Sequence, residues 1–126
     1  MKEMVLLYNM PDREQRLKLE MLLFPLHIRL RTVKKEEYLH PLGFFIGNDN
    51  ISPATEAYTG PELPDTMLIF ANIPEAKLNT ILAGLRRNKI GPIAHKAVLT
   101  PTNQHWNALE CYQEIDAEHK AMNHDN

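Results

Sequence analysis

The stretch Met4–Pro11, which reads MVLLYNMP, has a counterpart 63 residues later (67 − 4) in Met67–Pro74, which reads MLIFANIP. Each copy begins with a continuous apolar run that is too short for a helix and typical of a strand buried on both faces. Each run then ends in Asn, an apolar residue and Pro. Proline is favoured in the first turn of a helix, because its missing N–H would have no partner there. The sequence therefore predicts two strands, each leading into a helix.

A helical apolar pattern follows both runs. The positions with i, i+3, i+4, i+7 spacing are Leu19, Leu22, Leu23 and Leu26 in the first copy, and Leu78, Ile81, Leu82 and Leu85 in the second. Pro25 is expected to end the first helix early, because proline cannot occupy a helix interior without breaking it. Gly84 lies inside the second helix, where we interpret it as a point of close packing against a strand.

A strand pattern and then a second helical pattern complete each copy. The strand-like segments are Ile28–Val33 and His95–Thr100, and the helical patterns that follow them are Lys35–Ile46 and Thr102–Met122. Between the copies, residues 48–65 hold prolines and a glycine without periodicity, which indicates a linker or long surface loop. We therefore expect a single domain made of two pseudo-repeats, 1–47 and 66–122, joined by this segment.

Two β-α-β units restrict the fold. Each unit crosses over right-handed and lays its helix on the sheet. Two such units most economically share one sheet, so we expect an α/β (α+β) fold: a two-layer sandwich built from a duplicated β-α-β-α unit. It would have a four-stranded sheet with helices mainly on one face, close to the ferredoxin-like plan. Two separate two-stranded lobes are the alternative, disfavoured because isolated two-stranded sheets are barely stable.

The composition is that of an ordinary globular domain: 126 residues, 44% of them apolar, with 14 Lys and Arg against 16 Asp and Glu. A net charge of −2 provides no long-range field for holding nucleic acid or an anionic membrane. The single cysteine, Cys111, excludes an intramolecular disulfide, and the N-terminal apolar run is too short for a signal peptide or a membrane span. We expect a cytoplasmic protein without membrane association, and assign no cofactor and no metal.

The most distinctive stretch is Lys96–Trp106, KAVLTPTNQHW, which runs from a strand into the last helix. From Ala97 to Trp106 it resembles an uncharacterised family of small bacterial proteins, a domain of unknown function, whose hallmark is A-V-L-T-P-T-N-x-x-W after a strand and an amphipathic helix. The resemblance extends over about Thr66 to His119. It supports the order of elements and implies no activity, substrate or catalytic residue.

Two interpretations of this stretch stay open. The candidate ligand-binding residues are Lys96, Thr100, Thr102, Asn103 and Trp106. In one interpretation, free N–H groups at the helix start join these side chains around an anion or carboxylate. In the other, a threonine caps the helix and the tryptophan pins it to the sheet. We expect a non-catalytic binding or regulatory module that recognises a small anionic ligand or a protein partner at this strand-to-helix corner, residues 96–106.

An enzyme whose site is assembled between the two halves is the alternative function. Its titratable candidates are His95, His105 and Glu110, although the sequence holds no recognisable catalytic set. Cys111 is expected to be a half-buried, unreactive thiol whose pKa is raised by its acidic neighbours Glu110 and Glu114.

Two basic clusters allow a third function. They are Arg29, Arg31, Lys34 and Lys35 in the first half, and Arg86, Arg87, Lys89 and Lys96 in the second. Brought together by pseudo-symmetry, they would form a strip for RNA, but the strands lack the aromatic residues on which single-strand binders stack bases. A solvated charged face explains them more simply, so nucleic acid is disfavoured. Short apolar strands with open edges favour a homodimer.

Overall fold

Both apolar runs form strands, and these two strands lie at the centre of a four-stranded sheet. The structure is a computed structural model, and it describes residues 2–124. The strands are β1 (Met4–Tyr8), β2 (Arg29–Val33), β3 (Met67–Ala71) and β4 (His95–Val98). The helices are α1 (Arg13–Leu23), α2 (Leu42–Phe45), α3 (Glu75–Arg87) and α4 (Ala108–His124). Short 3-10 turns cover Phe24–Leu26, Lys35–Glu37 and Asn103–His105.

The strand order is β2-β1-β3-β4, so strands from both halves share one sheet rather than forming two lobes. β1 pairs in parallel with β2, β3 pairs in parallel with β4, and β1 and β3 are antiparallel. At the middle of the antiparallel pair Leu6 lies opposite Ile69, two positions that are themselves 63 residues apart (69 − 6). The pairing is therefore symmetric about the residues that the sequence repeat relates.

An asparagine ends each central strand in the same conformation. Asn9 has φ 56° and Asn72 has φ 59°, in the left-handed region that asparagine tolerates better than most residues. The Asn9 amide donates to Leu63 O (2.8 Å), and the Asn72 amide donates to Lys2 O (3.1 Å). Each asparagine thus turns the chain out of its strand and ties it to the segment preceding the other central strand.

The sheet is covered on both faces. One face packs against α1 and α3 through the side chains of Val5, Leu7, Leu68 and Phe70. The other face packs against α4, α2 and the loops through Met4, Leu6, Tyr8, Met67, Ile69 and Ala71. The α+β class and the four-stranded sheet are confirmed, but the expectation of two layers with helices mainly on one face is wrong. Strands that are apolar on both sides must exclude water from both sides, and α4 supplies the second cover.

The ferredoxin-like plan is not what the strands adopt. In a split β-α-β arrangement another strand separates the two strands of a unit, whereas β1 pairs directly with β2 and β3 with β4. Helices α1 and α3 then lie side by side on one face. A Cβ added to Gly84 would overlap the side chain of Leu22, so this glycine allows close packing against helix α1 and not against a strand.

Two predicted helices differ from those observed. In place of a helix over Lys35–Ile46, the chain makes a 3-10 turn and the four-residue α2, because Pro41 cannot lie in a helix interior. The last helix begins at Ala108 and not at Thr102. Asn107 caps it: its side chain accepts from Glu110 N–H (3.0 Å), and the Glu110 carboxylate accepts from Asn107 N–H (3.1 Å). This reciprocal capping pattern is readable in the sequence as Asn-x-x-Glu.

The segment of residues 48–65 contains neither helix nor strand, as expected for a loop, yet it is anchored to the core. Ile51 and Leu63 within it are buried. Within residues 2–124, none of the helices combines the length and the apolar character that a membrane crossing requires.

The central pair should dominate the stability of the fold. Leu6 is 0% exposed, so we expect Leu6→Ala to lower the free energy of unfolding by about 3 kcal/mol through lost burial and a residual cavity. Leu17, which lies on α1 and is 47% exposed, is the matched control. Leu17→Ala should change the free energy of unfolding by less than about 0.5 kcal/mol. Urea unfolding followed by circular dichroism measures both. Equal losses would contradict the assignment of Leu6 to the centre of the core.

Candidate functional site

The strand-to-helix corner is held together by the side chain of Asn103, which is almost fully buried. Thr100 N–H donates to Asn103 Oδ1 (2.7 Å), and Asn103 N–H donates to Thr100 Oγ1 (3.0 Å). The Asn103 amide also donates to Val98 O (2.9 Å) at the end of β4. Thr100 is therefore the residue that caps the turn, and Asn103 is occupied by the backbone around it.

The five candidate residues do not converge on one point. The structure brings Thr100 and Asn103 together, while Thr102 is exposed. Lys96 lies on the face of the sheet that carries α3, where its ammonium donates to Ile93 O. Trp106 packs against the opposite face.

The backbone N–H groups of the turn are also largely used. Gln104 N–H donates to Thr100 O (3.1 Å), and Trp106 N–H donates to Asn103 O (3.0 Å). Pro101 has no N–H to offer. The corner is thus a capped turn, and most of the donors that an anion would need at its start are engaged inside it.

A surface groove of about 660 Å3 lies beside this corner. Thr100, Pro101 and Gln104 form one wall, and residues 46–50 form the other, with Lys2 and Asn72 at the side. The Asn48 amide donates to Gln104 Oε1 (3.1 Å) across the groove. Residues 46–50 carry no motif and reach the corner only through the path of the loop, so the sequence does not predict them as part of a site.

The wall of residues 46–50 is fixed relative to the corner. Leu42 N–H, at the start of α2, donates to Trp106 O (2.8 Å). Gly43 lies so close that an added Cβ would overlap Ile51 and come within 3.1 Å of Gln104 O. Both walls are therefore preorganised, which lowers the entropic cost of binding a ligand between them.

One family model matches the part of the chain that forms the corner. A family model described as a domain of unknown function, DUF3783, matches residues 66–122. The match confirms the resemblance to a domain of unknown function, and it covers β3, α3, β4, the corner and most of α4. The chain has no significant match to a curated protein or to a solved structure. The wall formed by residues 46–50 lies outside the matched residues.

The titratable candidates His95, His105 and Glu110 are not brought together. His95 is buried, and its Nε2 lies 2.8 Å from Asp116 Oδ1. Its ring stacks on Tyr112, with centroids 4.0 Å apart. His105 and Glu110 are exposed elsewhere, and Glu110 is engaged in capping α4. The partners of His95, four residues apart on α4, share a helix face, but sequence alone does not show which strand that face meets.

The pKa values of the two groups that contact His95, Asp116 and Tyr112, are shifted for identifiable physical reasons. The hydrogen bond from His95 holds the pKa of Asp116 below its ordinary value. Burial raises the pKa of Tyr112 to about 12, and the carboxylate of Asp65, which accepts from its hydroxyl, adds to the effect.

Cys111 is buried and unsuited to nucleophilic chemistry. Burial raises its pKa to about 12, with a further contribution from Glu118 and Glu114. The expected upward shift is confirmed, although Glu118 and not Glu110 acts with Glu114. Within residues 2–124, no group of three or more His, Cys, Asp or Glu side chains is placed to hold a metal ion.

The two basic clusters lie at opposite edges of the sheet. The first belongs to β2 and the residues after it, and Lys96 of the second lies on β4. Arg31 pairs with Glu37 (2.9 Å) and lies over the ring of Phe45, 5.3 Å from its centroid. The structure therefore does not join the clusters into one strip.

Asn103 should matter for stability more than any other residue of the corner. Replacing it with Ala leaves Thr100 N–H and Val98 O without these partners, so we expect Asn103→Ala to cost about 2 kcal/mol of unfolding free energy. Thr102 is exposed, and Thr102→Val, of the same shape, should cost less than about 0.5 kcal/mol. Thermal and urea unfolding measure both. If only Thr102→Val caused a large loss of unfolding free energy, Thr102 and not Thr100 would be the capping residue.

The pair of His95 and Asp116 predicts a dependence of stability on pH. Because the pKa of Asp116 is lower in the folded than in the unfolded chain, its contribution is complete above the unfolded value, about 3.9, and is lost as the pH falls through the folded value. The difference in unfolding free energy between the wild type and Asp116→Asn should therefore stay constant above about pH 5 and shrink as the pH falls below about 4. Urea titrations at several pH values measure it, and a constant difference would contradict the coupling.

Proposed function

We propose that the chain is a non-catalytic binding module whose ligand site is the groove between the corner of residues 100–104 and the loop of residues 46–50. The observation that carries the proposal is the groove itself, about 660 Å3 in volume, in which Thr100, Pro101 and Gln104 of the corner face a second, fixed wall. A helix cap accounts for Thr100 and Asn103, but it does not account for a preorganised groove beside them.

The lining of the groove suits a polar ligand that carries a carboxylate. The side-chain amides of Asn48, Asn72 and Gln104 each use one N–H within the fold. Each keeps a second N–H and an oxygen lone pair, so together they match a ligand that both accepts and donates hydrogen bonds. Lys2 lines this groove and Lys96 does not, so Lys2 is the cation that can pair with a carboxylate of the ligand. Asp49 at the rim would disfavour a second negative charge on the ligand. A small anionic ligand with one carboxylate, or the carboxyl terminus of a protein partner, meets these requirements.

Binding is better supported than catalysis. Among the residues that line the groove, Lys2 and Asp49 carry the titratable side chains. Neither has a histidine or cysteine beside it in the lining, whereas acid–base and nucleophilic catalysis commonly use such groups. Of the candidates for the alternative enzyme, His95 is buried against Tyr112, where a substrate does not reach it, and Glu110 is engaged in capping α4.

Two further expectations remain proposals. A cytoplasmic location rests on the single cysteine, which is buried and free. Self-association through the sheet edges has weaker support, because β2 presents exposed arginines, Arg29 and Arg31, and like charges disfavour symmetric edge pairing.

The proposal is tested by titrating the 15N-labelled chain with glutamine, acetate and inorganic phosphate while recording amide chemical shifts. We expect glutamine, which offers both a carboxylate and an amide, to shift resonances of residues 46–50 and 100–104. Lys2→Gln should weaken that binding about tenfold, whereas Lys18→Gln, on α1 across the sheet, should leave it unchanged. Shifts that map elsewhere, or equal effects of the two lysine variants, would overturn the proposal.

A further inference from the structure

Strand β4 is an open edge of the sheet, and it is separate from the corner groove. Leu99 N–H donates to Phe70 O on β3 (2.9 Å), and the backbone groups of successive strand residues point in alternate directions. The N–H and C=O groups of Lys96 and Val98 therefore point away from β3, toward the outside. Residues 95–98 thus present an edge that another strand can extend.

Asn103 closes one end of this edge. Its amide donates to Val98 O (2.9 Å), which removes that carbonyl from the outward-facing groups. What stays open is a short segment: the N–H and C=O of Lys96 and the N–H of Val98, which have no partner within residues 2–124. The side chains of both residues are exposed, and 48% of Val98 is accessible.

A second groove, of about 610 Å3, adjoins this edge on the face that carries α3. Leu82, Leu85, Ile90 and Ile93 make its lining largely apolar, and the cations Arg86, Lys89 and Lys96 also line it. Within residues 2–124, none of these three cations lies within 4.0 Å of a carboxylate, unlike Lys77, which pairs with Glu3 (2.7 Å). The C-terminal end of α3 explains Arg86 through the helix dipole, but Lys89 lies beyond the helix and Lys96 lies on a strand.

We propose that this edge and groove bind an extended acidic segment of a partner protein, which adds to β4 as a fifth strand. Backbone pairing with Lys96 and Val98 would fix its register, because strand addition relies on main-chain hydrogen bonds. Successive side chains of a strand point to opposite faces, so the side chains that enter the groove are two residues apart. Apolar side chains at some of these groove-facing positions would pack against Leu82. Carboxylates at the other groove-facing positions would meet Arg86, Lys89 and Lys96, which supply the charge complementarity.

Other occupants fit less well. Nucleic acid would use the cations but not the aliphatic lining, which lacks the aromatic side chains on which bases stack. A second copy paired symmetrically through β4 would bring the Lys96 side chains of both copies to the same junction, which like charge disfavours. An acidic strand satisfies the backbone, the apolar lining and the charges at once.

The probe is a fluorescein-labelled peptide with the repeat Val-Thr-Glu-Thr, which places Val and Glu on the same face of a strand. It is titrated with the full chain at low salt and followed by fluorescence anisotropy. Arg86→Glu should weaken binding about tenfold, as should Lys96→Glu. Arg87→Glu is the matched control, because Arg87 is an exposed neighbour on α3 that does not line the groove, and it should leave binding unchanged. A peptide N-methylated at alternate residues keeps the charge and loses strand pairing, so it should bind about tenfold more weakly.

Amide hydrogen exchange reports the pairing directly. On peptide binding, the N–H groups of Lys96 and Val98 should become protected, whereas Ala97 N–H, which points toward β3, should not change. The proposal is overturned if the peptide does not bind, if Arg87→Glu weakens binding as much as Arg86→Glu, or if N-methylation has no effect. It is equally overturned if a single-stranded RNA of matched charge binds more tightly, or if the free chain dimerises through β4.

Discussion

The antiparallel pairing of β1 with β3 is the constraint on which the other elements depend. Both strands are completely buried, and Leu6 lies opposite Ile69 at their centre. A sheet whose central strands are apolar on both sides is stable only when both sides are covered. The two crossover helices cover one side. The other side needs α4, and the chain can reach it only by turning sharply after β4, which is what the corner does.

The corner thus has a structural role before it has any binding role. Asn103 joins the turn to the end of β4 and occupies Val98 O at the sheet edge. The same side chain therefore separates two surfaces. On one side lies the polar groove with residues 46–50, and on the other lies the short open edge next to the apolar groove of Arg86 and Lys96. The two surfaces differ in chemistry, one rich in amides and the other apolar with cations.

The elements that the sequence predicts correctly are those that depend on residues close together in the chain. The strands Met4–Tyr8 and Met67–Ala71 and the helices after them follow from patterns within a few residues, and the structure confirms them. The start of α4 is equally local, since Asn107 and Glu110 form a recognisable capping pair, but the predicted start at Thr102 is wrong. The prediction that Gly84 packs against a strand is also wrong, because its neighbour is Leu22 on α1. Periodicity shows that a glycine allows a close approach, but it does not name the approaching element.

The sequence by itself determined the two buried strands, the amphipathic helices, the class of the fold and the distinctive segment at the corner, because each depends on residues near one another in the chain. Only the tertiary structure decided that both faces of the sheet are covered. It also decided that Lys96 lies away from Thr100, and that residues 46–50 complete a groove with Gln104. These arrangements depend on which apolar faces meet and on the path of a loop without periodicity. Their free energies come from contacts between residues far apart in sequence, and no local pattern encodes such contacts.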